Sequence, residues 1–251
     1  MKKRHSFLIR CVNLLLVLAV LCGIFSFSLQ KIGAELDFSF LYTYRKRILD
    51  GFCMTLALSL VSFAVSLLIG ILCAVGQNAR ILAIRYFCSI YVQFIRGTPL
   101  IMQIYLFFYI IGTAWGIENR FLAGVIILSV FEGAYIAEII RGSLASIAVS
   151  QREVAMAVGF ERRQTLLYFL LPQLIEGTLP ALTGQFASLI KDSSLLSMIA
   201  VIELMQTMRE ITALNFKMFE SYFFLGFLYL CLTLPLSFVS KWLERRFRYE
   251  N

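Results

Sequence analysis

The sequence holds one histidine, His5, placed ahead of every long apolar run. A single imidazole cannot supply the usual ligand sets of a catalytic zinc site, and neither HExxH nor GxSxG occurs. An intramembrane enzyme needs a nucleophile with its base, or clustered metal ligands, and finds neither here. The phosphate-binding motif GxxxxGK[ST] is also missing, so ATP hydrolysis, where it is needed, falls to a partner chain. Six cysteines (Cys11, Cys22, Cys53, Cys73, Cys88 and Cys231) are scattered through apolar runs without a CxxC pair. They read as small apolar fillers, with no disulfide or metal framework implied.

What is present is apolar side chain. Of the 251 residues, 60% are hydrophobic, 23 are Phe, and the mean hydropathy is +0.82. Soluble domains are nearer about half apolar. The composition is that of a polytopic membrane protein without a separate soluble domain. The net charge of +8 then reads as a topology signal and an attraction to anionic lipid, and no nucleic-acid partner is expected.

Residues 1–10 are basic, and residues 14–29 carry no charge. A cleaved signal peptide has that form. An uncleaved anchor helix is favoured, because Leu21 before Cys22 is too bulky for a lipoprotein site. Five further apolar segments cover residues 52–75, 91–112, 121–140, 179–204 and 222–242, each near the roughly 20 residues that cross a bilayer. Residues 1–50 thus form an anchor and an extracytoplasmic linker, and residues 51–251 the main membrane domain. With a cytoplasmic N-terminus, six spans return the C-terminus to the cytoplasm. That orientation puts fifteen Lys and Arg inside and seven outside, with Lys191 within a span. Arg45, Lys46 and Arg47 go against the bias, and an interfacial helix leading into the second span is expected to hold them.

One stretch between the spans is polar: EVAMAVGFERRQTLLYFLLP, residues 153–172. Its apolar residues recur at helical spacing, Gly159 divides it, and Pro172 is expected to end it. Two short amphipathic helices at the membrane surface fit that pattern; the plain alternative is an ordinary surface helix. The string resembles the cytoplasmic coupling loop of ABC importer permeases, with Glu153, Ala155, Gly159, Leu171 and Pro172 matching at the family's spacing and Val154 and Phe169 replacing an Ala and an Ile. Four more strings resemble the polar amino-acid (histidine, glutamine and arginine-type) subgroup of these permeases: LDGFCMTLALSL from 49, IRGTPLIMQIYLFFY from 95, GAYIAEIIRGSL from 133 and SLIKDSSL from 188.

The resemblance spans about residues 49–248. It implies the all-α fold of type I ABC importers, with five core helices to which the N-terminal helix is an addition, and a coupling loop at about 150–175. It implies a multi-pass protein of the bacterial inner membrane, working as a dimer with a second copy or a homologous permease. A cytoplasmic ATPase would bind the ATP, this chain needing no cofactor, and an extracytoplasmic amino-acid-binding protein would deliver solute. A channel or scaffold subunit independent of ATP is the rival that the coupling loop argues against.

Polar groups inside spans are costly and usually line a pathway or pair with one another. Gln185, Ser188 and Asp192 share one helical face at i, i+3 and i+7, with Lys191 and Ser194 beside it. Glu132 and Tyr135 lie one turn apart, and Glu138 can reach Arg141 on the next turn. Gln103 lies among apolar neighbours. Asp192 is placed to receive a solute ammonium, or else to pair with Lys191 at a helix junction. Glu132 departs from the subgroup's usual small polar residue, and a carboxylate facing the pathway there favours a cationic solute. Arg96, Gly97, Thr98 and Pro99 look structural.

Overall fold

The computed structural model describes residues 2–33, 36–147 and 159–248. Every regular element among them is helical. The chain divides into two units, residues 1–41 and 42–251. The first contains α1 (Lys2–Lys31), whose Leu15, Leu16, Ile24 and Phe27 are all exposed, as suits a helix apolar on every side.

The boundary between the units falls within a short turn of helix, α2 (Phe40–Thr43), and the first long helix of the second unit is α3 (Arg45–Gly76). At 32 residues, α3 is roughly 48 Å long, well beyond the ~30 Å hydrocarbon core. The surplus accounts for the three basic residues at 45–47. They form the first turn of α3 itself, and a separate interfacial helix is not observed. Lipid tails supply no hydrophobic drive for helices to associate, so close packing must do it. One face of α3 carries the small residues Thr55, Ser59, Ser62, Ser66 and Gly70, all buried. It meets α6 (Arg120–Ser146), where the Ser129 hydroxyl donates to the Ser62 carbonyl at 3.2 Å. A Cβ at Gly70 would stand 2.5 Å from the Ile136 side chain, so a larger residue there would force the pair apart. Asn119 starts α6 by accepting from the Leu122 amide.

The segment at 91–112 is not one straight span. It is α4 (Leu82–Gly97) followed by α5 (Leu100–Tyr105) and a π-helical continuation (Leu106–Gly112), bent by 113° between them. Pro99 is the cause: its ring disfavours helical backbone at the preceding residue, and Thr98 is extended. Gln103 then repairs the break. Its fully buried amide nitrogen lies within hydrogen-bonding distance of the Ile95 carbonyl, the Thr98 carbonyl and the Thr98 hydroxyl, groups that the bend leaves open.

Pro172 does not end a helix either. α7 (Arg162–Gln164) runs through a π-helical turn (Thr165–Leu170) into α8 (Leu171–Asp192), with Pro172 in the first turn of α8. The wider turn just ahead re-spaces the carbonyls that a proline cannot satisfy. The fifth apolar segment therefore starts earlier and stops earlier than its composition suggests. It closes in a 3₁₀ helix (Ser193–Ile199). A chain break in helical geometry follows, then α9 (Leu204–Asn215), which buries Leu204, Met208 and Ile211, and α10 (Met218–Arg248). α10 packs on α8, where the Ser240 hydroxyl donates to the Pro180 carbonyl at 2.9 Å. Among the described residues, four helical segments are long and apolar enough to cross a membrane, and a fifth is if the bent α4–α5 pair is one span.

Candidate solute pathway and coupling segment

Glu132 sits on the buried face of α6 and is itself fully buried. A carboxylate taken from water into such a place is costly unless a partner answers it. α8 supplies one: the Gln185 amide nitrogen donates to Glu132 Oε2 at 2.6 Å. Asp192, two turns further along the same face of α8, interacts electrostatically with Glu132 and with Lys191. Ser188 stands half-buried between Gln185 and Asp192 on that face. The second oxygen of Glu132, Oε1, is buried and has no hydrogen-bond partner. Two carboxyl groups thus converge with one amide, near enough for a side-chain hydrogen bond between Glu132 and Asp192. Such a cluster suits a ligand that brings a positively charged donor.

The remaining pathway candidates fall elsewhere. Tyr135 is half-buried and turns to a guanidinium: Arg96 lies 5.6 Å from its ring centroid, and the Phe131 ring lies tilted against it at 5.0 Å between centroids. Ser194 is outside α8, in the 3₁₀ segment, so the α-helical register does not place it with Gln185. Gln103 is occupied at the α4–α5 break. Arg96 bonds Glu138 at 3.3 Å, and Arg141 holds the other oxygen of Glu138. The expected Glu138–Arg141 pair is present, joined by a third member on a different helix.

On the opposite end of the domain, Glu203 escaped the sequence reading. It caps α9, accepting from the Met205 and Gln206 amides at 2.8 and 2.7 Å, and the Tyr229 hydroxyl donates to it at 3.0 Å. It is fully buried, and burial pushes its carboxyl up to about 7 despite those three donors. The available signal was an acidic residue directly before the amphipathic run LMQTMREI, a helix-start pattern.

Of the coupling residues, Glu153 and Ala155 lie outside the described residues. Gly159 has φ +91° and is exposed, a backbone state that side-chain-bearing residues rarely adopt. Leu171 and Pro172 are exposed at the start of α8. The exposed run of Leu166, Leu167, Tyr168 and Leu171 follows Gly159 directly.

Residues 66–249 match the family described as binding-protein-dependent transport system inner membrane component. The chain belongs to that family. Among its relatives is the probable glutamine ABC transporter permease protein GlnM of Bacillus subtilis (strain 168), 33% identical, with 84% of this chain and 98% of the relative covered. Another is the glutamine transport system permease protein GlnP of Escherichia coli (strain K12), also 33% identical, covering 85% and 99%. A solved structure described as a crystal structure of an amino acid ABC transporter with histidines superposes with a TM-score of 0.78 at 31% identity, covering 85% of this chain and 100% of that one. This inner membrane component is therefore an all-α, multi-pass transport subunit of the type I importer fold. As a permease it does no chemistry of its own.

Proposed function

We propose that this chain is the permease subunit of an ATP-binding cassette importer that carries a polar amino acid inward by alternating access. The observation that carries the reading is the buried cluster of Glu132, Gln185 and Asp192 between α6 and α8, with Glu132 Oε1 unanswered. The solute's ammonium would meet the two carboxyls, and glutamine-like or cationic amino acids suit such an acidic site. The names of the relatives support the amino-acid class. A cytoplasmic ATPase would bind and hydrolyse ATP, gripping the segment around Gly159, and both termini would be cytoplasmic. A second permease chain and an extracytoplasmic binding protein would complete the assembly.

Reconstitution with the ATPase and binding protein tests the reading. The expected result is ATP hydrolysis stimulated by one or a few amino acids among a panel of glutamine, histidine, arginine and cystine. Hydrolysis indifferent to every amino acid overturns it. Gly159→Leu should insert normally yet fail to copurify with the ATPase, because a branched side chain resists the positive φ. Normal copurification and uptake would remove the coupling role.

A further inference from the structure

A polar cavity lies apart from the Glu132 cluster. It has a volume of about 390 Å³ and is lined by Gln77 just after α3, by Ser89, Gln93 and Arg96 on α4, and by Glu138 and Arg141 on α6. That size falls in the ~300–1,000 Å³ range of small-molecule sites. Glu138 is the less exposed member of the ion-pair group, 24% exposed against 41% for Arg96 and 49% for Arg141. Both guanidinium groups therefore keep donors turned away from the carboxylate they share. Gln77 Oε1 lies buried in the same wall and accepts from no protein group.

The charges alternate in space: a cation on α4, an anion on α6, a second cation one turn on. Such a row complements a small zwitterion. A carboxylate can take the spare N–H groups of Arg96 or Arg141, where bidentate contact is favoured. An ammonium can then face Glu138, the one carboxylate in the cavity's lining. A simple cation meets a net charge of +1, and a simple anion must approach Glu138, so each fits less well than the pair of opposite charges held on one carbon in an α-amino acid. In the orientation favoured by the Lys and Arg distribution, this cavity faces the cytoplasmic half of the domain.

We propose that the Arg96–Glu138–Arg141 cavity is a second, release-side binding site for the zwitterionic head of an α-amino acid. That the occupant is the carried solute rests on the proposed function above. The Glu132 cluster selects by its surplus negative charge. The Arg96 cavity takes the part common to every amino acid and leaves the side chain free. A site of that kind holds solute where it leaves the transporter and slows further import as the inner concentration rises.

The test counts sites by binding of tritiated L-glutamine to the permease–ATPase complex in phosphatidylcholine nanodiscs. Two equivalents per permease chain are expected in the unaltered complex, one in Asp192→Asn and one in Arg96→Gln. Because Arg96→Gln could weaken the fold, Ser89→Trp serves as the second variant: it fills the cavity and leaves all three charges in place. Asp192→Asn combined with Ser89→Trp should bind none. N-acetyl-L-glutamine and L-glutamine methyl ester, each lacking one half of the zwitterion, should compete at the Asp192→Asn complex at least about tenfold less well than L-glutamine. Phosphatidylethanolamine shares the zwitterionic chemistry. Equal binding in discs with and without it assigns the site to free amino acid; binding abolished by it gives the cavity to a lipid headgroup and overturns the solute role. A single equivalent in the unaltered complex, unaffected by Ser89→Trp, overturns the cavity outright. Amino-acid uptake by the same complex is judged separately. Uptake with no second site sinks this inference alone, and a second site without uptake sinks the importer reading alone.

Discussion

The two ionisable clusters of the domain are built on opposite plans. Glu132, Gln185 and Asp192 bring together two acids and no arginine, with Glu132 fully buried and one of its oxygens unanswered. Arg96, Glu138 and Arg141 balance one acid with two bases, all partly open to a cavity. Folding alone gives no reason for the first arrangement. Bringing two carboxyl groups together in a buried place is costly, and well-packed apolar residues there are often neutral or stabilising. The second arrangement costs little, because each charge keeps both water and a partner. The difference teaches where function is concentrated: the cluster that the fold tolerates at a loss is the one to be read as selective.

The contrast breaks most severely at Glu132. Glu132→Gln keeps the size and a hydrogen bond to Gln185 and removes one of the two carboxyl groups. Uptake should fall roughly 100-fold, about 3 kcal/mol of lost ammonium binding, while the melting temperature holds or rises. A falling melting temperature with normal uptake per folded molecule would make the residue structural.

Glu203 offers an intermediate case, a buried acid that does have donors. Its folded pKa of about 7 lies above the ordinary 4.5, so the fold favours the protonated form. The resulting stabilisation is complete below the unfolded value and is lost as pH rises through about 7. Thermal stability should therefore decline from pH 5 to 8 by several degrees, on the order of 5 °C. In Glu203→Gln that decline should vanish. An identical slope in both proteins would show that the carboxyl stays ionised.

The smallest effect belongs to the balanced cluster. Glu138→Gln leaves two guanidinium groups facing each other in a partly hydrated cavity. The loss should stay below about 1 kcal/mol, or roughly 2–4 °C in melting temperature. A collapse of the folded yield would place this group in the structural core and blur its distinction from the buried acids.

Much of this was legible in the sequence, for identifiable reasons. Long apolar runs located the spans of α3, α6 and α10, because membrane helices must satisfy their own backbone and so depend on length and composition. The i, i+7 spacing of Gln185 and Asp192 survived into the structure because α8 stays α-helical between them. Three things were hidden. The string Arg96, Gly97, Thr98 and Pro99 marks an interruption, but nothing in it sets the size of the 113° turn made there. Pro172 had the local look of a helix end, yet it sits in the first turn of α8 with a π-helical turn just ahead, where a proline is tolerated. The third was partnership across elements. Glu132 with Gln185, and Arg96 with Glu138, lie 53 and 42 residues apart in sequence, and only the crossing of the helices brings them together.

The central claim is that the acid pair binds solute and does not hold the fold. Asp192→Asn tests it most directly, by uptake measured per folded molecule alongside detergent-extracted yield and melting temperature. Asn preserves size and hydrogen bonding and deletes one charge beside Glu132. Uptake should drop about thirtyfold, equivalent to roughly 2 kcal/mol, with yield and melting temperature kept and basal ATP hydrolysis persisting without stimulation by the loaded binding protein. Unchanged uptake kinetics in a well-folded Asp192→Asn protein, or a loss of uptake that merely follows a loss of folded protein, would contradict it.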